Sequence, residues 1–146
     1  MPKAASARKK RHMLPDLAPA LEMLRREMPD LAGVYLFGSV AEGMDRPGSD
    51  IDIAVFARRP IDRLRRLALQ EGLAKLLSRD VDLVDLASVP TILQMQVIGE
   101  GRVIDAPDAD ATGAFEVRVM RDYQNLKARR ADIEADIVER GRVYAG

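Results

Sequence analysis

The chain contains no cysteine, no tryptophan and a single histidine in 146 residues. Without thiols there is no disulfide framework, no thiolate nucleophile and no cysteine-based zinc or iron–sulfur centre. One histidine, His12, set among basic residues, excludes a serine–histidine–aspartate triad and a multi-histidine metal site. Long apolar runs are missing as well. No stretch approaches the roughly 20 apolar residues that span a bilayer. The early bases are followed by Asp16 and Pro19 rather than an apolar run, so neither a signal peptide nor a membrane partner is expected. A cytoplasmic protein is the expectation. Any chemistry falls to carboxylates, hydroxyls, amines and an oxygen-liganded metal.

What is present fits one globular domain: 47% hydrophobic and 32% charged residues. The formal net charge of zero conceals a division. Lys3, Arg8, Lys9, Lys10 and Arg11 give the first twelve residues +5, leaving 18 bases against 23 acids in the rest. Residues 1–13 read as a basic, disordered, solvating tail, and nucleic acid is not an expected partner. Residues 14–146 read as the domain, including a C-terminal helix over 114–141.

Within the domain, Asp16 is an expected N-cap for a helix running to about Met28, with Leu17, Leu21, Leu24 and Met28 on one face. Val34 to Phe37 reads as a buried strand, and Gly38 to Met44 as a turn with a short helix. A second strand is expected over Asp50 to Phe56, a helix from Pro60 and Asp62 to Leu77, and a third strand over Val81 to Leu86. Pro90 opens a further helix carrying Ile92, Met95 and Ile98. Arg102 to Ile104 reads as an edge strand, and Ala106 to Thr112 as a linker. The final helix is expected to stop at Gly141. Strands interleaved with helices predict an α/β (α+β) fold with a mixed sheet.

The chemistry concentrates in Gly38 to Asp52. Residues two apart on a strand share a face, so Asp50 and Asp52 project together while Ile51 and Ile53 face the core. Two like charges side by side on an apolar strand are costly unless a cation sits between them. All-oxygen ligation suits Mg²⁺ in phosphoryl and nucleotidyl transfer. Solvated aspartates pairing with Arg46 are the plainer alternative. Gly38-Ser39, directly after a buried strand, can present N–H groups and a hydroxyl to a phosphate. A third carboxylate is expected from Val81-Asp82-Leu83-Val84-Asp85-Leu86. Asp82 and Asp85 face opposite sides, so only one can join; Asp82 is favoured and Asp85 stays open.

The Gly-Ser and Asp-x-Asp spacing, with Val-Asp-Leu-Val on a later strand, resembles the nucleotidyltransferase superfamily related to polymerase beta. Tyr35 to Gly43 and Ser49 to Val55 resemble its minimal nucleotidyltransferase (MNT) members, over roughly residues 14–142. The resemblance implies a short mixed sheet flanked by helices, the polymerase beta-like fold. It also implies that Gly38 and Ser39 lie at the triphosphate of ATP, that Asp50 and Asp52 bind Mg²⁺, and that Asp82 completes the metal site and assists activation of the acceptor hydroxyl. Arg46 is a candidate phosphate-binding base. The implied partner is a HEPN-domain ribonuclease toxin, neutralised by AMP transferred from ATP to a tyrosine hydroxyl. Two other functions stay open: an antitoxin acting by stoichiometric binding, and a nucleotidyltransferase with another acceptor such as a small molecule.

The last helix bears Phe115, Val119, Tyr123, Leu126, Ile133 and Ile137 on a stripe that Arg130 interrupts. It either packs wholly on the sheet or leaves part of the stripe for a partner.

Overall fold

The computed structural model describes residues 16–41 and 50–145, with only the backbone of Ser39 and of 142–145. The basic tail, Arg46 and the rest of the 42–49 loop lie outside the described residues. In chain order the elements are α1 (Ala18–Glu27), β1 (Leu31–Phe37), a short α2 (Gly38–Ala41), β2 (Ile51–Ala57), α3 (Arg63–Leu77), β3 (Val81–Asp85), a 3₁₀ turn (Leu86–Ser88), α4 (Thr91–Glu100), β4 (Arg102–Asp105) and α5 (Ala109–Ala145). No helix among the described residues is long and apolar enough to cross a membrane.

The four strands form one mixed sheet in the order β3-β2-β1-β4. β1 pairs antiparallel with both β2 and β4, and β2 pairs parallel with β3. A parallel neighbour needs a crossover element, and α3 supplies it. Alternation along the strands divides the core in two. Ile51, Ile53, Val55, Val81 and Leu83 pack under α1 and α3 with Leu24, Leu69 and Leu73. On the opposite face Tyr35, Ala54, Leu86 and Val97 pack with Phe115 and Val119 of α5.

β3 is an edge strand, and unpaired edge groups invite aggregation. Here α3 reaches over to satisfy them. The Gln70 side-chain oxygen accepts from Leu83 N–H at 2.9 Å, and Arg66 donates to the Leu83 carbonyl at 3.0 Å.

Several sequence expectations shift. The first helix begins later than Asp16, whose carboxylate instead accepts the Ala18 N–H at 3.1 Å from one position outside the cap. β1 starts at Leu31, three residues before the apolar run suggested, because Leu31 and Gly33 extend the pairing with β2 across an irregularity at Ala32. In α4, Ile92 is exposed while Gln94 and Val97 are buried. Gln94 is inside because its amide donates to the Leu86 carbonyl at 2.9 Å.

The largest change concerns residues 106–112. They are not a linker: α5 begins at Ala109, and Asp108 accepts the Ala111 N–H at 3.1 Å as a helix-capping carboxylate. Thr112 then donates to the Ala32 carbonyl at 2.8 Å, fixing the helix on β1. Gly33 permits that approach, since a Cβ there would lie 2.8 Å from Thr112 Oγ1. Further along, Tyr35 OH donates to Glu116 at 2.8 Å and Phe56 stacks on Phe115 at 4.1 Å. Nor does the helix stop at Gly141; it runs on to Ala145.

Candidate active site

The site forms at one end of the sheet, where β1 finishes and β2, β3 and β4 begin. The antiparallel register sets Asp52 opposite Phe37, and the parallel register sets Asp82 opposite Asp52. Asp52 therefore sits between Phe37 and Asp82, on the face away from α3, because Ile51 and Ile53 occupy the α3 side. Asp50 immediately precedes β2 and is exposed.

Gly38 closes the arrangement. It leaves β1 with φ +74, a left-handed conformation that side-chain-bearing residues adopt at a cost. The space its missing Cβ would fill holds the Asp52 carboxylate: a Cβ would lie 3.1 Å from the carboxyl carbon and overlap Oδ2 outright. The sequence gives Gly38 a role toward phosphate; the structure adds a second reason for glycine, the seating of Asp52.

The electrostatics follow from this crowding. Burial first, then the charges of Asp82 and of Asp50, hold the Asp52 carboxyl above the ordinary carboxylate range. Each cause acts in the same direction. A cation among the three would relieve that repulsion, and hard carboxylate oxygens are the donor set that suits Mg²⁺. Among the described residues, no three histidine, cysteine, aspartate or glutamate side chains are drawn together tightly enough to hold an ion as they stand. Asp50, Asp52 and Asp82 are an open acidic cluster rather than a closed cage.

The two acids of β3 separate cleanly. Asp82 is exposed at the site, whereas Asp85 is only 6% exposed and turned to the α3 side. Asp85 Oδ2 accepts from Ile61 N–H at 3.3 Å and from the Ser88 hydroxyl at 2.7 Å. It is thus tied to the turns flanking α3 and β3. Of the remaining candidates, Gly38 and the backbone of Ser39 open α2 beside Asp52, while the Ser39 side chain and Arg46 lie outside the described residues.

One residue acquires a place that the sequence reading did not assign. Arg102 begins β4 opposite Leu36, which brings an exposed base to the same end of the sheet as the aspartates. The edge-strand assignment contained it, but only the antiparallel register with β1 shows which end it marks.

The structure thus seats a strand aspartate against a Gly-Ser turn, with a second strand aspartate alongside. The Polymerase beta, Nucleotidyltransferase family matches residues 21–110. The chain belongs to the polymerase beta-type nucleotidyltransferase family. Within that family it is 40% identical over 118 residues to the protein adenylyltransferase MntA of Shewanella oneidensis, covering 81% of this chain and 84% of the relative. It also resembles a chain of a toxin–antitoxin crystal structure with AMP-PNP, at 39% identity and a TM-score of 0.71, over 81% of this chain and 94% of that one. A third match is the structure of a tri-AMPylated Shewanella oneidensis HEPN toxin with its MNT antitoxin, at 38% identity and a TM-score of 0.65 over 81% and 92% of the two chains. The nucleotidyltransferase family match covers both strands that carry the acidic cluster.

Proposed function

We propose that this nucleotidyltransferase is the antitoxin of a type VII-like toxin–antitoxin pair. It transfers AMP from ATP to a tyrosine hydroxyl of a partner HEPN-domain ribonuclease toxin, and so neutralises it in the cytoplasm. The observation that carries this is the register placing Asp52 beside Asp82, with Asp52 seated against a left-handed Gly38. The activity named for the 40% identical Shewanella protein, and the AMPylated toxin seen with an MNT antitoxin, support the choice of acceptor.

In this reading Gly38 and Ser39 hold the triphosphate, with Arg46 adding positive charge beside it. Asp50, Asp52 and Asp82 would hold Mg²⁺. When bound, the metal supplies charge neutralisation of the triphosphate and a lowered pKa for the attacking hydroxyl. Asp82, exposed at the mouth, is free to orient the acceptor hydroxyl and receive its proton. The tyrosine oxygen forms a bond to the α-phosphorus while the bond from that phosphorus to the β-bridging oxygen breaks. Pyrophosphate leaves with the electron pair. Histidine and cysteine have no part in these steps, in keeping with their scarcity.

ATP labelled at the α-phosphate, Mg²⁺ and the partner toxin together should put label on the toxin. Asp52→Asn should remove it by several orders of magnitude. Undiminished labelling by that variant would refute the assignment.

A further inference from the structure

The body of the protein uses only the first third of α5. Phe115 and Val119 are buried and Tyr123 is half-buried, but residues 124–141 are exposed without exception. From 124 to 141, the exposed segment extends about 27 Å. A helix within a protein draws its stability mainly from packing of an apolar face. This one carries such a face with nothing among the described residues packed over it: Leu126 is 39% exposed, Ile133 54% and Ile137 62%.

The spacing on that face is specific. Tyr123, Leu126, Arg130, Ile133, Ile137 and Arg140 follow at intervals of three, four, three, four and three. That is a coiled-coil seam, one flank of which carries Lys127 and Glu134 and the other Arg129 and Asp136. Charge along the segment is also divided. Residues 121–130 hold Arg121, Lys127, Arg129 and Arg130 against Asp122, or +3. Residues 131–140 hold Asp132, Glu134, Asp136 and Glu139 against Arg140, or −3.

We propose that the exposed half of α5 pairs with the same segment of a second copy of this chain, as an antiparallel two-stranded coiled coil. Antiparallel alignment about the midpoint between residues 131 and 132 lays each +3 half on the −3 half of the other copy. Its layers are Leu126 with Ile137 and Arg130 with Ile133, each from opposite copies. Its flanks pair Lys127 with Glu134 and Arg129 with Asp136. The Arg130 stem lies on Ile133 while its guanidinium reaches out to the flanking acids. A parallel pair retains some opposite-charge flanks but drives Arg130 against Arg130 in the seam, which makes the antiparallel form the favoured one. Within a single helix, Asp136 pairs with Arg140 at 3.2 Å, an exposed pair that is readily exchanged. None of the seam residues belongs to the acidic cluster, so pairing and transfer are separable.

The absence of native cysteine makes the test clean. Leu126→Cys and Ile137→Cys full-length proteins, mixed and oxidised, should form a disulfide-linked heterodimer, and Leu126→Cys alone should not link to itself. Sedimentation of the wild-type chain should give twice its 16.2 kDa. Ile133→Asp should raise the dimer dissociation constant at least about tenfold, with its melting temperature at dilution and its AMP transfer unchanged. The Lys127→Glu/Arg129→Glu and Glu134→Lys/Asp136→Lys proteins should each be monomeric and should pair when mixed. A wild-type chain that stays monomeric at about 100 µM, well above micromolar affinity, would overturn the proposal. Linkage of Leu126→Cys to itself would overturn the antiparallel alignment. Protection of the helix only when the toxin is added would assign this face to the toxin instead.

Discussion

Gly38→Ala isolates the contact on which the site is built. Two penalties arise together. A non-glycine residue at φ +74 pays about 1–2 kcal/mol for the left-handed backbone. The new Cβ also occupies the position of Asp52 Oδ2, so the carboxylate must retreat by about 1 Å to restore ordinary contact distances. The combined loss of stability should be about 1–3 kcal/mol. For a chain of this size that lowers the melting temperature by roughly 3–10 °C.

Transfer should suffer far more than stability. A displacement of about 1 Å in a group that positions the reacting atoms costs about 100-fold. A protein that has lost only 1–3 kcal/mol remains folded at 25 °C if it began with ordinary stability. The rate of label transfer from ATP to the toxin at 25 °C, beside a thermal melt of the same sample, therefore separates misplacement from unfolding. A folded Gly38→Ala protein that transfers AMP within about threefold of wild type, well short of the 100-fold expected, would refute the seating of Asp52 by Gly38.

The two acids of β3 should divide their effects. Asp82→Asn should abolish transfer and leave the melting temperature near wild type, whereas Asp85→Ala should lose about 1–3 kcal/mol by stranding the Ile61 N–H and Ser88 hydroxyl, as read by thermal melts and label transfer. Asp52 has its pKa raised on folding, so the stability it leaves to the fold is full below its unfolded pKa near 3.8 and declines as pH rises through the higher folded value. Asp52→Asn should therefore raise the melting temperature at neutral pH in divalent-free buffer, with the gain vanishing near pH 3. Gly113 lies inside α5, and among the described residues nothing beyond its own stretch of helix comes within 4 Å of where a Cβ would sit, so Gly113→Ala should stabilise by about 0.5–1 kcal/mol in denaturant titration and leave transfer unchanged.

Much of this site was legible because period-two alternation is a local rule. Ile51 and Ile53 announced a core face, so Asp50 and Asp52 had to share the other; the same rule on β3 separated Asp82 from Asp85. The family resemblance then supplied the fold and the roles that spacing alone left open. What remained hidden depended on partners distant in sequence. The helical start at Ala109 needs Asp108 as a cap and Thr112 bonded to Ala32, neither of which a stretch rich in aspartate, alanine and proline reveals. Gln94 reads as a surface residue until its bond to Leu86 places it inside. Arg102 gains its position from pairing with a strand more than sixty residues earlier.

The placement of the acids is in the end a consequence of apolar packing. Leu69 and Leu73 of α3 claim one face of the parallel pair, and Ile51, Ile53, Val81 and Leu83 supply it. Asp85 shares that face, where its Oδ2 accepts from the Ile61 N–H and the Ser88 hydroxyl. Asp52 and Asp82 are left to the opposite face by exclusion, and the register then makes them neighbours. A slip of either strand by one residue would carry its aspartate under α3 and expel its apolar residues, which the core forbids. The like-charged pair thus needs no attraction of its own to assemble. The core holds the two acids together against their repulsion, and that unrelieved repulsion is what favours a cation at this end of the sheet.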